Sequence, residues 1–351
     1  MSNFLPISLA PNLIGHEKSE KHFLKLHASN RLHHGWLLNG PKGIGKGALA
    51  IRMARIILGG GSSDMFGGMS MDFEEHDVFI HRLANGGHPD FMYLYLGLPN
   101  LKQKDKQCTD IPIDYIRSAK EFLHKTSGES NCKVLIIDDA DSINVNGANA
   151  LLKILEEPHP HTYIILVTSK PNTLLPTIRS RCSVLTLQAL KLKQLEDILQ
   201  KKFPKLDASE IKAYSKMSDG SIGKAISYVN NNVLPLYIQM IDAMAKDSLG
   251  VYALVSSVTG KANENKYAIL SDMIHGWLGR LAISFVKQDG MNQVVSHEQK
   301  AYDKITAKFS KLDLLDWITM VKKNIDSVNP PRYMDKKTVI LTTFLPLHDG
   351  L

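Results

Sequence analysis

The chain has 351 residues, 44% hydrophobic and 22% charged, which is the composition of an ordinary globular protein with two or three domains. No apolar run approaches the roughly 20 residues that cross a bilayer, and no basic segment precedes an apolar one at the start, so we expect a cytoplasmic protein. The net charge of +7 favours a polyanionic partner, and three widely spaced cysteines indicate neither a disulfide framework nor a metal site.

The first motif in the chain is a strand, a glycine-rich turn and a helix, beginning at Gly35. The turn fits G-x-x-x-x-G-K, in which glycines let backbone N–H groups converge on phosphate oxygens and the lysine reaches the terminal phosphates. The alternative is an ordinary strand–helix turn that binds no ligand. We predict that the following residues bind the phosphates of a nucleotide: Gly40, Pro41, Lys42, Gly43, Ile44, Gly45, Lys46 and Gly47.

The last position of this loop departs from the pattern. A serine or threonine hydroxyl normally ligates Mg²⁺ there, but this chain has Gly47. Without that oxygen the metal needs another ligand. The loop is therefore predicted to bind ATP or ADP without hydrolysing it.

Residues 59–70, GGGSSDMFGGMS, are predicted to form a loop because glycine and serine dominate them. The histidines and aspartates that follow fit no standard zinc spacing, so we expect solvated side chains and no zinc. They are His76, Asp77, His81, His88 and Asp90.

Two buried strands are predicted to end in polar residues. Residues 133–142, KVLIIDDADS, end in Asp138 and Asp139, which are carboxylates suited to a metal-linked site, although an acidic loop is the alternative. Residues 162–169, TYIILVTS, place Thr168 and Ser169 at the carboxyl end of the next strand. Because ligands of parallel sheets bind at that edge, we expect one of these two hydroxyls to contact a bound nucleotide.

A proline-rich loop then leads to Ser180-Arg181-Cys182 and a further strand-like run. An isolated arginine of this kind is most often a surface residue or a member of a local ion pair. From Lys191 onward the strand signals end and only helical patterns remain. In the last helix, Asp335 lies near the start, and the predicted inward residues are Thr338, Leu341, Phe344 and Leu345.

The segment from Asn146 to Cys182 resembles the ATPase core of bacterial sliding-clamp loaders, which belong to the AAA+ family. The resemblance implies an α/β AAA+ P-loop domain with a doubly wound parallel sheet, a small helical lid and an all-α collar that forms oligomers. These three domains would cover residues 1–188, 189–232 and 233–351.

The same resemblance identifies two further departures. Hydrolysing members of the family carry glutamate where this chain has Asp139, and a carboxylate displaced by about 1 Å can cost about a hundredfold in rate. The family's second-sensor arginine corresponds to Gly223, and the adjacent Lys224 is rotated by about 100° around its helix. The alternative for this motif is a plain helix start capped by Ser221.

The resemblance implies that Arg181 is an arginine finger acting in trans on ATP bound by a neighbouring subunit. The chain would be a stationary, non-hydrolysing subunit of a hetero-oligomer with clamp-loader ATPase subunits and a clamp-opening subunit. That assembly would load a sliding clamp onto primed DNA, and no independent enzymatic activity is expected. Two alternatives stay open: a subunit that itself hydrolyses ATP, and a DNA-binding adaptor that keeps the fold.

Overall fold

The computed structural model describes residues 13–63, 69–74, 76–99, 108–259, 264–287, 293–328 and 334–347. The chain divides into two compact units, residues 1–191 and 192–351. The separate lid and collar predicted within the second unit stay a prediction. None of the helices in these ranges is long and apolar enough to cross a membrane.

The first unit contains a five-stranded parallel sheet with the order β4-β5-β6-β1-β7. A separate short antiparallel pair, β2 with β3, lies within the segment that was predicted to be a loop. The strands are β1 Gly35–Asn39, β2 Ser62–Ser63, β3 Met69–Ser70, β4 Phe91–Leu94, β5 Lys133–Ile137, β6 Thr162–Thr168 and β7 Ser183–Thr186. The parallel sheet predicted from the alternating pattern is thus confirmed, and residues 64–68 of the predicted loop lie outside the described residues.

Helices cover both faces of this sheet, as the doubly wound prediction requires. The helices of the first unit are α1 Glu17–Ala28, α2 Lys46–Ile57, α3 Val78–Ala84, α4 Ile113–His124, α5 Val145–Glu156 and α6 Pro176–Arg179. Successive strand residues point to opposite faces. Trp36 of β1 therefore packs with α1, α2 and α3 in one core, whereas Leu37 packs with α4, α5 and α6 in the other.

The second unit contains only helices among its described residues, which confirms the predicted helical character. These helices share one core. They are α7 Leu192–Lys202, α8 Ala208–Met217, α9 Ile222–Asn230, α10 Leu234–Ala245, α11 Ser248–Val258, α12 Glu264–Lys287, α13 Glu298–Lys308, α14 Lys311–Asp326 and α15 Lys336–Phe344.

The inward face predicted for the last helix is partly wrong. Asp335 does cap α15, but Thr338 is exposed because its hydroxyl and its backbone N–H both donate to the Asp335 carboxylate. The fully buried positions begin one residue later, at Val339 and Ile340, and continue at Phe344.

Candidate functional site

The glycine-rich loop connects β1 to α2 at the carboxyl edge of the sheet. Gly40, Gly43 and Gly45 have φ values of 155°, 75° and 106°, which side chains with a Cβ rarely adopt. The first helical bond of α2 is donated by Leu49 to the Gly45 carbonyl. The N–H groups of the first helical turn therefore have no carbonyl partner in the helix, which is the arrangement that binds phosphate oxygens.

Gly40 is the position in this loop that tolerates a side chain least. A Cβ there would lie 2.5 Å from the Leu187 carbonyl oxygen and 3.0 Å from the Ile44 side chain. We expect Gly40→Ala to lower the free energy of unfolding of the first unit by about 1–3 kcal/mol, because the backbone must accept strain or move. Trp36 fluorescence during urea unfolding, with Trp277 and Trp317 replaced by phenylalanine, would measure it.

The matched control for this substitution is Gly87→Ala. A Cβ at Gly87 meets only the Arg82 carbonyl oxygen, at an ordinary 3.6 Å. Equal unfolding free energies for the two variants would contradict the steric explanation.

Lys46 is buried at the start of α2, and its ammonium group contacts the loop itself. Nζ donates to the carbonyl oxygens of Gly40 and Pro41, at 2.8 and 2.6 Å. Burial lowers the pKa of Lys46, while the nearby carboxylates of Asp138, Asp141 and Asp139 oppose that shift. The predicted phosphate-binding lysine and the acidic strand end are therefore brought together.

His16 also supports the loop, and sequence reasoning missed this residue. Its side chain is buried, and Nε2 lies 2.8 Å from the Ile44 carbonyl oxygen, to which only a protonated nitrogen can donate. Burial lowers the pKa of His16, so the neutral ring is favoured. In the sequence, the only signal for this role of His16 is its position immediately before an amphipathic helix.

Asp138 lies at the carboxyl end of β5, as predicted, but a tyrosine engages it. The Tyr93 hydroxyl donates to Oδ2 at 2.7 Å, and the Asp139 backbone N–H donates to Oδ1 at 3.0 Å. Burial raises the pKa of Asp138, although the bond from Tyr93 opposes that shift. Asp139 has a φ of 56° and precedes the short 3-10 turn Ala140–Ser142.

Thr168 is the last residue of β6, which lies next to β1 in the sheet, and Ser169 follows it. The buried Thr168 side chain accepts from the Lys170 backbone N–H at 3.1 Å. The Ser169 hydroxyl and backbone N–H both donate to Asp141, which is a third acidic residue that the sequence analysis did not assign to the site. Ser169 is thus bonded to Asp141, one of the carboxylates whose charge acts to raise the pKa of Lys46.

These residues supply more donors for an anion than oxygen ligands for a metal ion. The glycine loop offers free backbone N–H donors, and Lys46 adds a buried ammonium group beside them. However, Gly47 supplies no oxygen ligand, and one oxygen of Asp138 already accepts from Tyr93. The chemistry that these donors support is anion binding.

Arg181 lies at the amino ends of the strands, on the side of the sheet opposite the glycine loop. It lies two residues before β7, and its carbonyl oxygen is 3.1 Å from the position of a Cβ on Gly35, at the beginning of β1. The glycine loop begins after the other end of that strand, five residues and about 16 Å away at roughly 3.3 Å per residue. Arg181 therefore lies a strand length away from the glycine loop of its own chain.

The guanidinium of Arg181 is partly exposed and is held by two contacts. Nη1 donates to the Thr177 carbonyl oxygen at 3.0 Å, and Nη2 lies 2.8 Å from Oε1 of Glu156. The adjacent Cys182 is inert, because burial raises the pKa of its thiol to about 12.

In the second unit, Lys224 is engaged by carboxylates of its own unit. Ser221 caps α9 by accepting from the Lys224 backbone N–H, as one alternative anticipated. The Lys224 ammonium lies 3.2 Å from Asp272 and 3.8 Å from Asp219. Gly223 is exposed beside it.

Asp77, His88 and Asp90, which belong to the group of histidines and aspartates between residues 76 and 90, make contacts within the first unit. Asp77 caps α3 and pairs with Arg55, and His88 accepts from the Asp90 backbone N–H. Within the described ranges, no group of three or more histidine, cysteine, aspartate or glutamate side chains could hold a metal ion.

The parallel sheet, the glycine loop at its carboxyl edge and the acidic end of β5 define an α/β protein of the P-loop class. A profile of the family described as DNA polymerase III, delta subunit, matches residues 15–191, and the chain therefore belongs to this family. The predicted clamp-loader family is thus confirmed.

The relatives of the chain identify the type of subunit. It is 38% identical over 173 residues to DNA polymerase III subunit delta' of Bacillus subtilis, covering 48% of this chain and 46% of that protein. It is 36% identical over 149 residues to the delta' subunit of Pseudomonas aeruginosa, covering 42% and 41%. It is also 27% identical over 205 residues to a gamma subunit of Buchnera aphidicola, covering 57% and 52%. The chain thus spans about half the length of these relatives, and it is of the delta-prime type.

Proposed function

We propose that the chain is a stationary, non-hydrolysing clamp-loader subunit that donates Arg181 in trans to ATP on a neighbouring ATPase subunit. The observation that carries this proposal is the position of Arg181, which is partly exposed at the sheet edge opposite its own glycine loop. A guanidinium placed there is available to a second chain and not to the nucleotide of its own chain.

The proposal assigns Arg181 the role of stabilising charge that develops on the transferred phosphoryl group. The relatives are named as delta' and gamma subunits of DNA polymerase III, which supports membership of a complex of several subunits. The proposal adds ATPase subunits and a clamp-opening subunit as the other members. The complex would load a sliding clamp onto primed DNA, contacting the duplex through its phosphates. The test is ATP turnover by a reconstituted loader that carries Arg181→Ala.

The second half of the proposal concerns the chain's own nucleotide site, which would hold ATP or ADP without hydrolysing it. We expect the purified chain to show no magnesium-dependent ATP turnover, because Gly47 lacks a metal ligand and Asp138 is engaged by Tyr93.

We expect Lys46→Ala to weaken nucleotide binding by about tenfold or more, since a charge-assisted hydrogen bond is lost. Isothermal titration with ATP and ADP would measure the dissociation constants of the wild-type chain and of Lys46→Ala.

Lys120→Ala is the matched control, because it removes an exposed lysine from α4. Sustained turnover by the purified chain that disappears in Lys46→Ala would overturn this half of the proposal and establish a hydrolysing subunit.

A further inference from the structure

The last residue of α5 carries a carboxylate at a position where helix electrostatics disfavour it. Glu156 ends α5, and the negative end of the helix dipole lies there. A negative charge at this place does not stabilise the helix. Its contact in the structure is the guanidinium of Arg181, at 2.8 Å.

The backbone on both sides of this contact is well anchored. The neighbour of Glu156, Leu155, is buried in the core beneath α5, and its side chain lies 3.1 Å from the Cβ position of Gly35. The Arg181 carbonyl oxygen lies 3.1 Å from the same Cβ position, and the Arg181 backbone N–H donates to the Ile178 carbonyl oxygen. The two charged side chains therefore extend from backbone segments that the sheet holds at a fixed separation.

A free arginine side chain samples many rotamers, and ordering it costs conformational entropy. Here the Thr177 carbonyl and the Glu156 carboxylate contact two different nitrogens of the guanidinium, which sets the direction of its plane. The group has five N–H donors, so two contacts leave others for a phosphoryl oxygen. Glu156 is 45% exposed, so solvent screens its charge and it attenuates the field of the finger only weakly.

We propose that Glu156 is a positioning residue for the Arg181 finger, orienting the guanidinium before the neighbouring subunit presents its nucleotide. This inference rests on the proposed function. Glu156 does not touch the nucleotide; it acts through Arg181, by reducing the number of conformations from which the finger must be recruited.

The test compares Glu156→Ala with Glu157→Ala in an assembled loader of full-length chains. Glu157 is the next residue, is also exposed and carries the same charge, so it is a matched control. We expect Glu156→Ala to lower kcat for ATP at the neighbouring site at least about fivefold, within the hundredfold that misplacement by about 1 Å can cost. We expect KM for ATP and complex assembly to be unchanged, and Glu157→Ala to behave as wild type.

Glu156→Gln provides a second variant that keeps the size and one acceptor oxygen of the side chain, and we expect it to restore part of kcat. Size-exclusion chromatography and thermal melting would show that each variant folds and assembles. Equal kcat for Glu156→Ala, Glu157→Ala and wild type would overturn the inference.

A double-mutant cycle separates this inference from the proposed function. In an Arg181→Ala background, Glu156→Ala is expected to lower kcat no further, because its effect passes through the finger. A further loss would mean that Glu156 acts by another route. If Arg181→Ala itself left kcat unchanged, the proposed function would fail; if only Glu156→Ala had no effect, the positioning role alone would fail.

Discussion

Replacing Arg181 with alanine is expected to lower ATP turnover at the neighbouring subunit's site by tenfold or more. Arginine fingers contribute about 10³ to 10⁵ in rate where they complete the site. The measurement is steady-state ATP hydrolysis by a reconstituted loader with clamp and primed DNA present, in which the other ATPase sites are inactivated. The remaining turnover then reports the one site that Arg181 serves.

The chemistry of the guanidinium predicts a graded series. Arg181→Lys keeps the positive charge but loses the planar fork, so a single nitrogen must replace the two that contact Glu156 and Thr177. We expect its turnover to lie between those of wild type and Arg181→Ala. The control is Arg117→Ala, which removes an exposed arginine from α4 without touching either edge of the sheet.

Complex assembly must be measured beside turnover. A loader that assembles with Arg181→Ala and hydrolyses ATP at the wild-type rate would make Arg181 a structural residue. The contribution of the chain would then reduce to scaffolding or DNA contact.

Replacing Asp90 with asparagine is expected to lower the free energy of unfolding of the first unit by about 3–5 kcal/mol, the range observed when one partner of a buried ion pair is removed. The Asp90 carboxylate is fully buried and accepts from the backbone N–H groups of Gly128, Glu129 and Ser130. It also contacts the buried Lys133 ammonium at 3.1 Å. An asparagine NH₂ group cannot accept from these donors, and Lys133 would be left without its charge partner. Trp36 fluorescence in the background lacking the other two tryptophans would measure the loss.

The pH dependence of that loss gives a second measurement. Burial alone would raise the pKa of Asp90, but the three N–H bonds and Lys133 outweigh it and hold the pKa below its usual range. The stabilisation is therefore complete above the unfolded-state pKa of about 3.9 and is lost as pH falls through the lower folded value. We expect the difference in unfolding free energy between wild type and Asp90→Asn to shrink only at pH values below about 3.9.

Glu129→Gln is the matched control for Asp90. The Glu129 backbone N–H donates to Asp90, but its own carboxylate pairs with Arg82 on the surface, where solvent screens the interaction. We expect little change in unfolding free energy. A loss as large as that of Asp90→Asn would show that the segment itself, and not the buried carboxylate, is the source of the stability.

The sequence by itself determined the local elements and the motifs that lie within them. The glycine loop, the buried runs of β5 and β6 and the Ser-Arg-Cys triplet are contiguous, so their patterns could be read without knowing the fold. The alternation of strands and helices also predicted the parallel sheet, because parallel strands require long crossover connections. The departures at Gly47 and Gly223 are likewise visible in single positions.

Only the tertiary structure decided which distant residues meet. Tyr93 contacts Asp138, and Asp141 accepts from Ser169, because the order β4-β5-β6 places the ends of these strands side by side. Thr338 was predicted to face inward but is exposed, for a similar reason. Its hydroxyl donates to the capping residue Asp335, and this contact is visible only in the structure.

The relation between the two candidate centres also depended on the fold. In the sequence, Lys46 and Arg181 are simply far apart, and both could have served one site. The pairing of β1 with β7 places them at opposite edges of one sheet and brings Arg181 beside Glu156. The physical reason is that parallel strands run in one direction, so a residue that precedes a strand and a loop that follows its neighbour must be separated by the length of the strand.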